Sequence, residues 1–254
     1  MRTFLLCIYM LGLAALLQSC DAAGDVGAVS ADAAGGKGGS MARFAIVGDY
    51  LYTVNHEELS TYDITNSASP ELVSMNPVGF GIETIFPRQN YLFIGSQDGM
   101  YIYDASRPEY PQYVSKFEHV VSCDPVVADD RFAYVTLRAE SGRCWRGVNQ
   151  LDIISIEDMQ VPQLLRSYDM TNPKGLGVAG NELFVCDDVL KLYDITNRND
   201  IKLKNIFNIP ANDVIPYQGR LLVTANDGFY QYSFDGENVE LLSKLNILRT
   251  DPEQ

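Results

Sequence analysis

The sequence predicts an all-β protein, a β-propeller of five four-stranded antiparallel blades, and three observations carry that prediction. Fifteen Tyr and eleven Phe stand against one Trp and two His in 254 residues, a composition weighted toward strand formers. Two short apolar landmarks recur in step along the chain. Residues suited to tight hairpins fall between the strands of each unit, among them Gly48-Asp49, Asp129-Asp130, Gly180-Asn181 and Asn226-Asp227-Gly228.

The first landmark, Tyr50-Leu51-Tyr52-Thr53-Val54, returns at Tyr91, Phe132, Glu182 and Arg220, at intervals of 41, 41, 50 and 38 residues. The second, Leu59-Ser60-Thr61-Tyr62-Asp63-Ile64-Thr65, returns at Met100, Leu151, Leu190 and Tyr230. An apolar run precedes each pair, as at Phe44 to Val47 and Pro125 to Ala128. A fourth run follows, as at Glu71 to Ser74, Gln112 to Ser115, Gln163 to Arg166 and Glu240 to Ser243. Four strands in about 40 residues, repeated in tandem, are the signature of propeller blades. Five blades over residues 41–248 predict a small closed ring, with 249–254 as a C-terminal tail.

In three units a Pro stands seven positions after an Asp or Ser: Asp63 to Pro70, Asp104 to Pro111 and Ser155 to Pro162. This pattern resembles the LVIVD repeat of bacterial and archaeal surface proteins, and the resemblance implies a cell-surface propeller without established chemistry. Unit four has Ile201 in place of the Pro, and the last unit lacks the Pro signal. The slot of Asp63, Asp104 and Asp194 is filled by Ser155 and Ser233 in the other two units. Asp and Ser share the ability to accept a backbone N–H two residues on, so turn capping is expected there and not catalysis.

Residues 1–19 read as a lipoprotein signal peptide: Arg2, an apolar run from Phe4 to Leu17 too short to span a bilayer, then Gln18-Ser19. Leu17-Gln18-Ser19-Cys20 resembles the bacterial lipobox, which implies that Cys20 receives acyl chains and becomes the new N-terminus. Residues 20–40 then form the lipidated Cys and a flexible tether, since Asp21 to Ser40 holds six Ala, six Gly and no aromatic residue. The expected location is the cell envelope, the outer membrane favoured over the inner, with the lipid anchor as the membrane contact.

A formal net charge of −14 argues against a nucleic-acid partner. The expected partner is a protein or a glycan. Unit three carries about eleven extra residues between its second and third strands, holding Arg138, Arg143, Cys144, Trp145 and Arg146. Trp and Arg are enriched at binding hot spots, so Trp145, Arg138, Arg143 and Arg146 are candidate contacts. The same face collects His56, Glu57, His119 and Asp124. The two His lie in different units without paired ligand spacing, so no metal, cofactor or catalytic residue is expected. Of the cysteines beyond Cys20, Cys123 with Cys144 is the favoured disulfide; Cys144 with Cys186, or three reduced thiols, are the alternatives. The function expected is a non-catalytic binding or scaffolding module. A glycan hydrolase or lyase is the alternative, and it would need carboxylates such as Glu83, Asp124 and Asp213 to converge in the channel.

The anchor is directly testable. The chain should extract into a detergent phase and Cys20→Ala should remain aqueous; equal partition of the two would remove the lipid from the reading.

Overall fold

The computed structural model describes residues 38–119, 125–139 and 148–247. The described residues form five antiparallel sheets of four strands, each in simple sequential order, arranged as a five-bladed propeller. Blade 1 is β1 (Phe44–Val47), β2 (Tyr50–Val54), β3 (Glu58–Asp63) and β4 (Glu71–Pro77); blade 2 is β5 (Ile82–Arg88), β6 (Tyr91–Ser96), β7 (Gly99–Asp104) and β8 (Gln112–Glu118). Blade 3 is β9 (Val126–Ala128), β10 (Phe132–Leu137), β11 (Gln150–Ser155) and β12 (Gln163–Asp169). Blade 4 is β13 (Leu176–Ala179), β14 (Glu182–Cys186), β15 (Leu190–Asp194) and β16 (Lys202–Phe207). Blade 5 is β17 (Ala211–Tyr217), β18 (Arg220–Ala225), β19 (Gly228–Phe234) and β20 (Val239–Asn246).

The two landmarks are the second and third strands of every blade. Strand side chains alternate between faces, and in blades 2 to 4 both faces are apolar because each of those sheets is sandwiched between neighbours. In the second strands, Leu92, Ala133, Leu183 and Leu221 face the preceding blade, while Tyr52, Phe93, Tyr134 and Phe184 face the following one. All eight are 0–1% exposed. Every blade has a register shift between its third and fourth strands at the same place, Thr61/Tyr62 in blade 1 through Gln231/Tyr232 in blade 5. Such bulges add twist and turn the outer strand along the rim.

Polar clasps reinforce the apolar interfaces at one repeated register. Ser74 Oγ donates to the Glu109 carbonyl (2.6 Å), Ser115 Oγ to the Met159 carbonyl (2.5 Å), Arg166 Nε to the Asn199 carbonyl (3.0 Å) and Asn205 Nδ2 to the Glu237 carbonyl (2.7 Å). Each reaches from an outer strand to the turn before the outer strand of the next blade. Between blades 4 and 5 the first strands come closest, because Gly177 stands where other blades carry a side chain. A Cβ there would lie 2.5 Å from Pro216 Cδ and 2.6 Å from the Val214 carbonyl.

The turn Asp residues behave as expected. Asp63, Asp104 and Asp194 each accept the backbone N–H two residues on, at 2.8, 2.7 and 2.8 Å. The Thr65 and Thr196 side chains, and after them these backbone bonds, hold the carboxyls of Asp63 and Asp194 below the usual range. Ile201, in the slot of the prolines, donates its N–H to the Tyr168 hydroxyl at 3.0 Å, a bond no Pro could make.

Ring closure differs from the expectation. Among the described residues, four apolar clusters join the five blades in order, and no fifth joins blade 5 to blade 1. The sequence repeat counts the blades but does not set the angle between them, and closure depends on that angle. The ends are instead tied through the channel by residues 38–41, which precede β1. Ser40, wholly buried, donates to Asp213 Oδ1 of blade 5 and accepts the Leu176 N–H of blade 4, both at 2.8 Å. Residues 38–40, expected to belong to the tether, are therefore part of the folded body.

Phe93→Ala, which empties the interface between blades 2 and 3, should cost about 3–5 kcal/mol in urea unfolding. The same change at Phe80, 70% exposed, should stay within about 0.5 kcal/mol. Comparable losses at the two sites would contradict interface-dominated stability.

Candidate functional site

The strap of residues 38–41 divides the channel into two unequal ends. On the side of the hairpins joining first to second strands lies a cavity of about 480 Å³. Its walls are first-strand residues of blades 2 to 5, including Phe86, Val127, Val178 and Pro216, and Gly38 of the strap lies at its inner end. Around its rim stand Arg88, Asp129, Asp130, Arg131, Asn181 and Arg198. The result is a cup with apolar walls and a hydrogen-bonding lip.

The lip is held by ion pairs between turns of different blades. Arg88 Nε donates to Asp130 Oδ1 at 2.9 Å, joining blades 2 and 3. Arg198 Nη2 and the Tyr134 hydroxyl donate to Asp129 Oδ2 at 3.0 and 2.8 Å, joining blades 3 and 4. Burial alone would raise the Asp129 carboxyl, but the Arg131 and Phe132 amides, Tyr134 and Arg198 hold it below its ordinary value. Asp129 is thus held as an anion, unsuited to donate a proton to a leaving group.

At the other end a smaller pocket of about 130 Å³ is lined by Met41, Arg43, Glu83, Pro125, Arg138 and Lys174. Three cations meet here in an acidic protein. Lys174 Nζ donates to Asn212 Oδ1 at 2.9 Å, and Glu83 Oε1 accepts from Gln97 Nε2 at 3.3 Å. Between the two ends sits Asp213. Its Oδ1 takes the Ser40 hydroxyl and the Val214 amide (3.0 Å), and its Oδ2 takes the Met41 amide (3.3 Å). Burial outweighs those donors and pushes its carboxyl up to about 6.

Of the residues singled out in the sequence, Arg138 lines the smaller pocket. His56 and Glu57 lie at an exposed hairpin tip closed by Asn55, whose Oδ1 accepts the Glu57 amide at 2.8 Å. Their carbonyls accept from Ile82 and Val78, so their backbone holds the entry to blade 2. His119 lies at the end of blade 2 and its charge acts on Asp152 in blade 3. Asp152 is buried, takes Ser167 Oγ at 2.6 Å and has its carboxyl raised mainly by desolvation. Arg143, Trp145, Arg146, Asp124, Cys123, Cys144 and Cys20 lie outside the described residues. Cys186 is a free, buried thiol, so the Cys144–Cys186 alternative is not formed. Of the carboxylates an enzyme would need, Glu83 and Asp213 are each held by other groups, and Asp124 lies outside the described residues. Among the described residues no three His, Cys, Asp or Glu come together as metal ligands.

Sequence reasoning missed Ser40, hidden in an Ala/Gly-rich stretch, and the whole lip. A weak signal existed for the lip: Arg88 and Arg131 flank the same turn in successive units.

No family model and no curated protein matches this sequence. Solved structures do. A functionally unknown protein from Desulfotomaculum acetoxidans aligns with a TM-score of 0.65 at 11% identity, over 81% of this chain and 69% of that one. The periplasmic gluconolactonase PpgL of Pseudomonas aeruginosa aligns at 0.59 and 16%, over 79% and 68%. A Lactobacillus plantarum protein aligns at 0.61 and 15%, over 77% and 67%. The likeness shows the propeller fold. This chain spans about two thirds of the length of these structures.

Asp213 makes the strap pH-dependent. Its folded carboxyl titrates at about 6, above the 3.8 of the free side chain, so the native state holds the proton more tightly than the unfolded one. The contribution is complete below the unfolded value and is lost as pH rises through the folded one. Between about pH 4 and 7 the chain should lose roughly 2–3 kcal/mol that Asp213→Asn does not lose. Urea midpoints across that range check this; parallel curves would show that Asp213 does not titrate as stated.

Proposed function

We propose that this protein is a membrane-anchored envelope lipoprotein whose propeller binds, without catalysis, the end of a glycan in the larger channel cavity. The observation that carries the reading is the cup itself: about 480 Å³ of first-strand walls with a lip of paired Arg and Asp. Sugars present both apolar faces and hydroxyls. Apolar walls with a few convergent polar side chains suit such ligands, and planar Arg and Asp groups can donate to and accept from vicinal hydroxyls. The anchor at Cys20, the tether and the LVIVD-like spacing support a place in the envelope.

Hydrolysis of a glycosidic bond asks for one protonated and one ionised carboxyl across the bond. At the lip Asp129 is held ionised and Asp130 is paired with Arg88, while Asp213 is engaged by the strap. The gluconolactonase neighbour, at 16% identity, lends the fold and not its activity.

Binding should be measured by calorimetry against envelope glycans, with Asp130→Ala removing a lip acceptor and Val178→Trp filling the cup. Each is expected to weaken binding by more than about tenfold while the far-ultraviolet spectrum is retained. Release of a defined product from a glycan or an aldonolactone, abolished by Asp129→Asn or Asp213→Asn, would replace this reading with an enzyme.

A further inference from the structure

The two end faces of the arc break the rule that the other blades obey. In blades 2 to 5 the first-strand residue opposite the middle of the second strand is buried against the preceding blade: Ile85, Val126 and Leu176 at 0% and Val214 at 1%. In blade 1 that register holds Phe44, 58% exposed, with Ile46 at 48% beside it. At the opposite end, the third-strand position filled by Leu59, Met100, Leu151 and Leu190 is 0–1% exposed. Its counterpart in blade 5 is Phe229, 47% exposed, and its cross-strand partner Leu245 is 75% exposed.

The polar clasp is missing at the same ends. Ser243 occupies the register of Ser74, Ser115, Arg166 and Asn205, yet it turns to Gln231 of its own blade at 3.4 Å. Among the described residues, no side chain of a neighbouring blade clasps the turn at 66–69 of blade 1, the counterpart of the clasped turns.

We infer that the chain associates head to tail with a second copy of itself, the open face of blade 5 packing on the open face of blade 1 of the next molecule. The two faces are the two halves of an interface the protein builds four times over. Leu222, Phe229 and Leu245 stand where Phe184, Leu190 and Phe207 meet blade 5, and Phe44, Ile46 and Leu51 stand where Val214, Pro216 and Leu221 receive them. Ser243 is then placed to clasp the 66–69 turn of the second copy, as its counterparts do within one chain.

Other covers fit less well. Among the described residues, blade 1 and blade 5 share no apolar cluster of the kind that joins each of the four successive pairs, so neither open face covers the other. Residues 21–37 hold no aromatic residue, Leu, Ile or Met, and 248–254 hold a single large apolar residue, Leu248. Contiguous apolar exposure of this kind marks a contact surface, and a contact between unlike faces propagates to further copies unless it closes a ring.

Sedimentation velocity of the purified chain and two complementary variants tests this. Phe44→Asp/Ile46→Asp spoils the blade 1 face, and Leu222→Asp/Phe229→Asp spoils the blade 5 face. The unaltered chain should form dimers and larger species with rising concentration. Each variant alone should remain monomeric, its self-association weakened by more than about tenfold. The two mixed should give a 1:1 heterodimer that grows no further, since each supplies the face the other lacks. Recovery of the heterodimer also shows that both variants are folded. If Asp lowers the melting temperature, Phe44→Ser and Phe229→Ser carry the same comparison. An unaltered chain that stays monomeric overturns the proposal. So does a single-face variant that still self-associates, which would signal like-to-like pairing, or a folded mixture that stays monomeric.

Discussion

One buried hydroxyl ties the two ends of this protein together. Ser40 Oγ donates a hydrogen bond to Asp213 and accepts the Leu176 N–H, so the lead-in to the first blade is fastened to the fourth and fifth. Without a fifth apolar interface, nothing else of comparable burial among the described residues joins blade 1 to blade 5. A buried hydroxyl satisfied on both sides, against a carboxylate with two further amide donors, makes a tie that is costly to break because each group would be left unpaired. The division of the channel follows from it, since the strap lies at the inner end of the larger cavity.

Packing between blades supplies the rest of the stability, and it is modular. Each interface repeats one pattern, an aromatic or leucine of one second strand against aliphatics of the next blade, with an outer-strand clasp to a turn carbonyl. Contacts run mainly between neighbours, so stability approximates a sum of blades and interfaces, as in other repeat proteins. Terminal units of such arrays need a polar outer face or a cover. Among the described residues blade 1 and blade 5 have neither, and their end faces leave Phe44, Ile46, Phe229 and Leu245 exposed.

The repeat was legible because it is local: a period-2 face pattern, a hairpin and a turn Asp recur within each 40-residue unit. Tyr50 to Val54 and Leu59 to Thr65 therefore announced their strands, and Asp63 announced its cap. Closure was not legible, because the angle between sheets is a property of packed interfaces and not of any one unit. The strap was hidden for a different reason. Ser40 and Gly39 read as tether, since small residues look alike whether they are solvated or threaded through a channel. The lip was hidden because Arg88, Asp130, Asn181 and Arg198 come from three blades, and no sequence spacing links them until the arc brings the turns together.

The reactive groups around the channel share one character: each is already engaged. Burial pushes the Cys186 thiol well above its ordinary value, with the neighbouring Asp213 adding to the effect, so Cys186 is not on hand as a thiolate. Asp213 carries the strap, Asp129 bridges two blades, and Asp187 takes the Thr171 amide and Lys191. A catalytic centre needs at least one group whose proton is free to move at working pH. Burial pushes the Asp213 carboxyl up to about 6, and its proton is coupled to the seating of the strap. Binding in the cup, as proposed, leaves that tie whole.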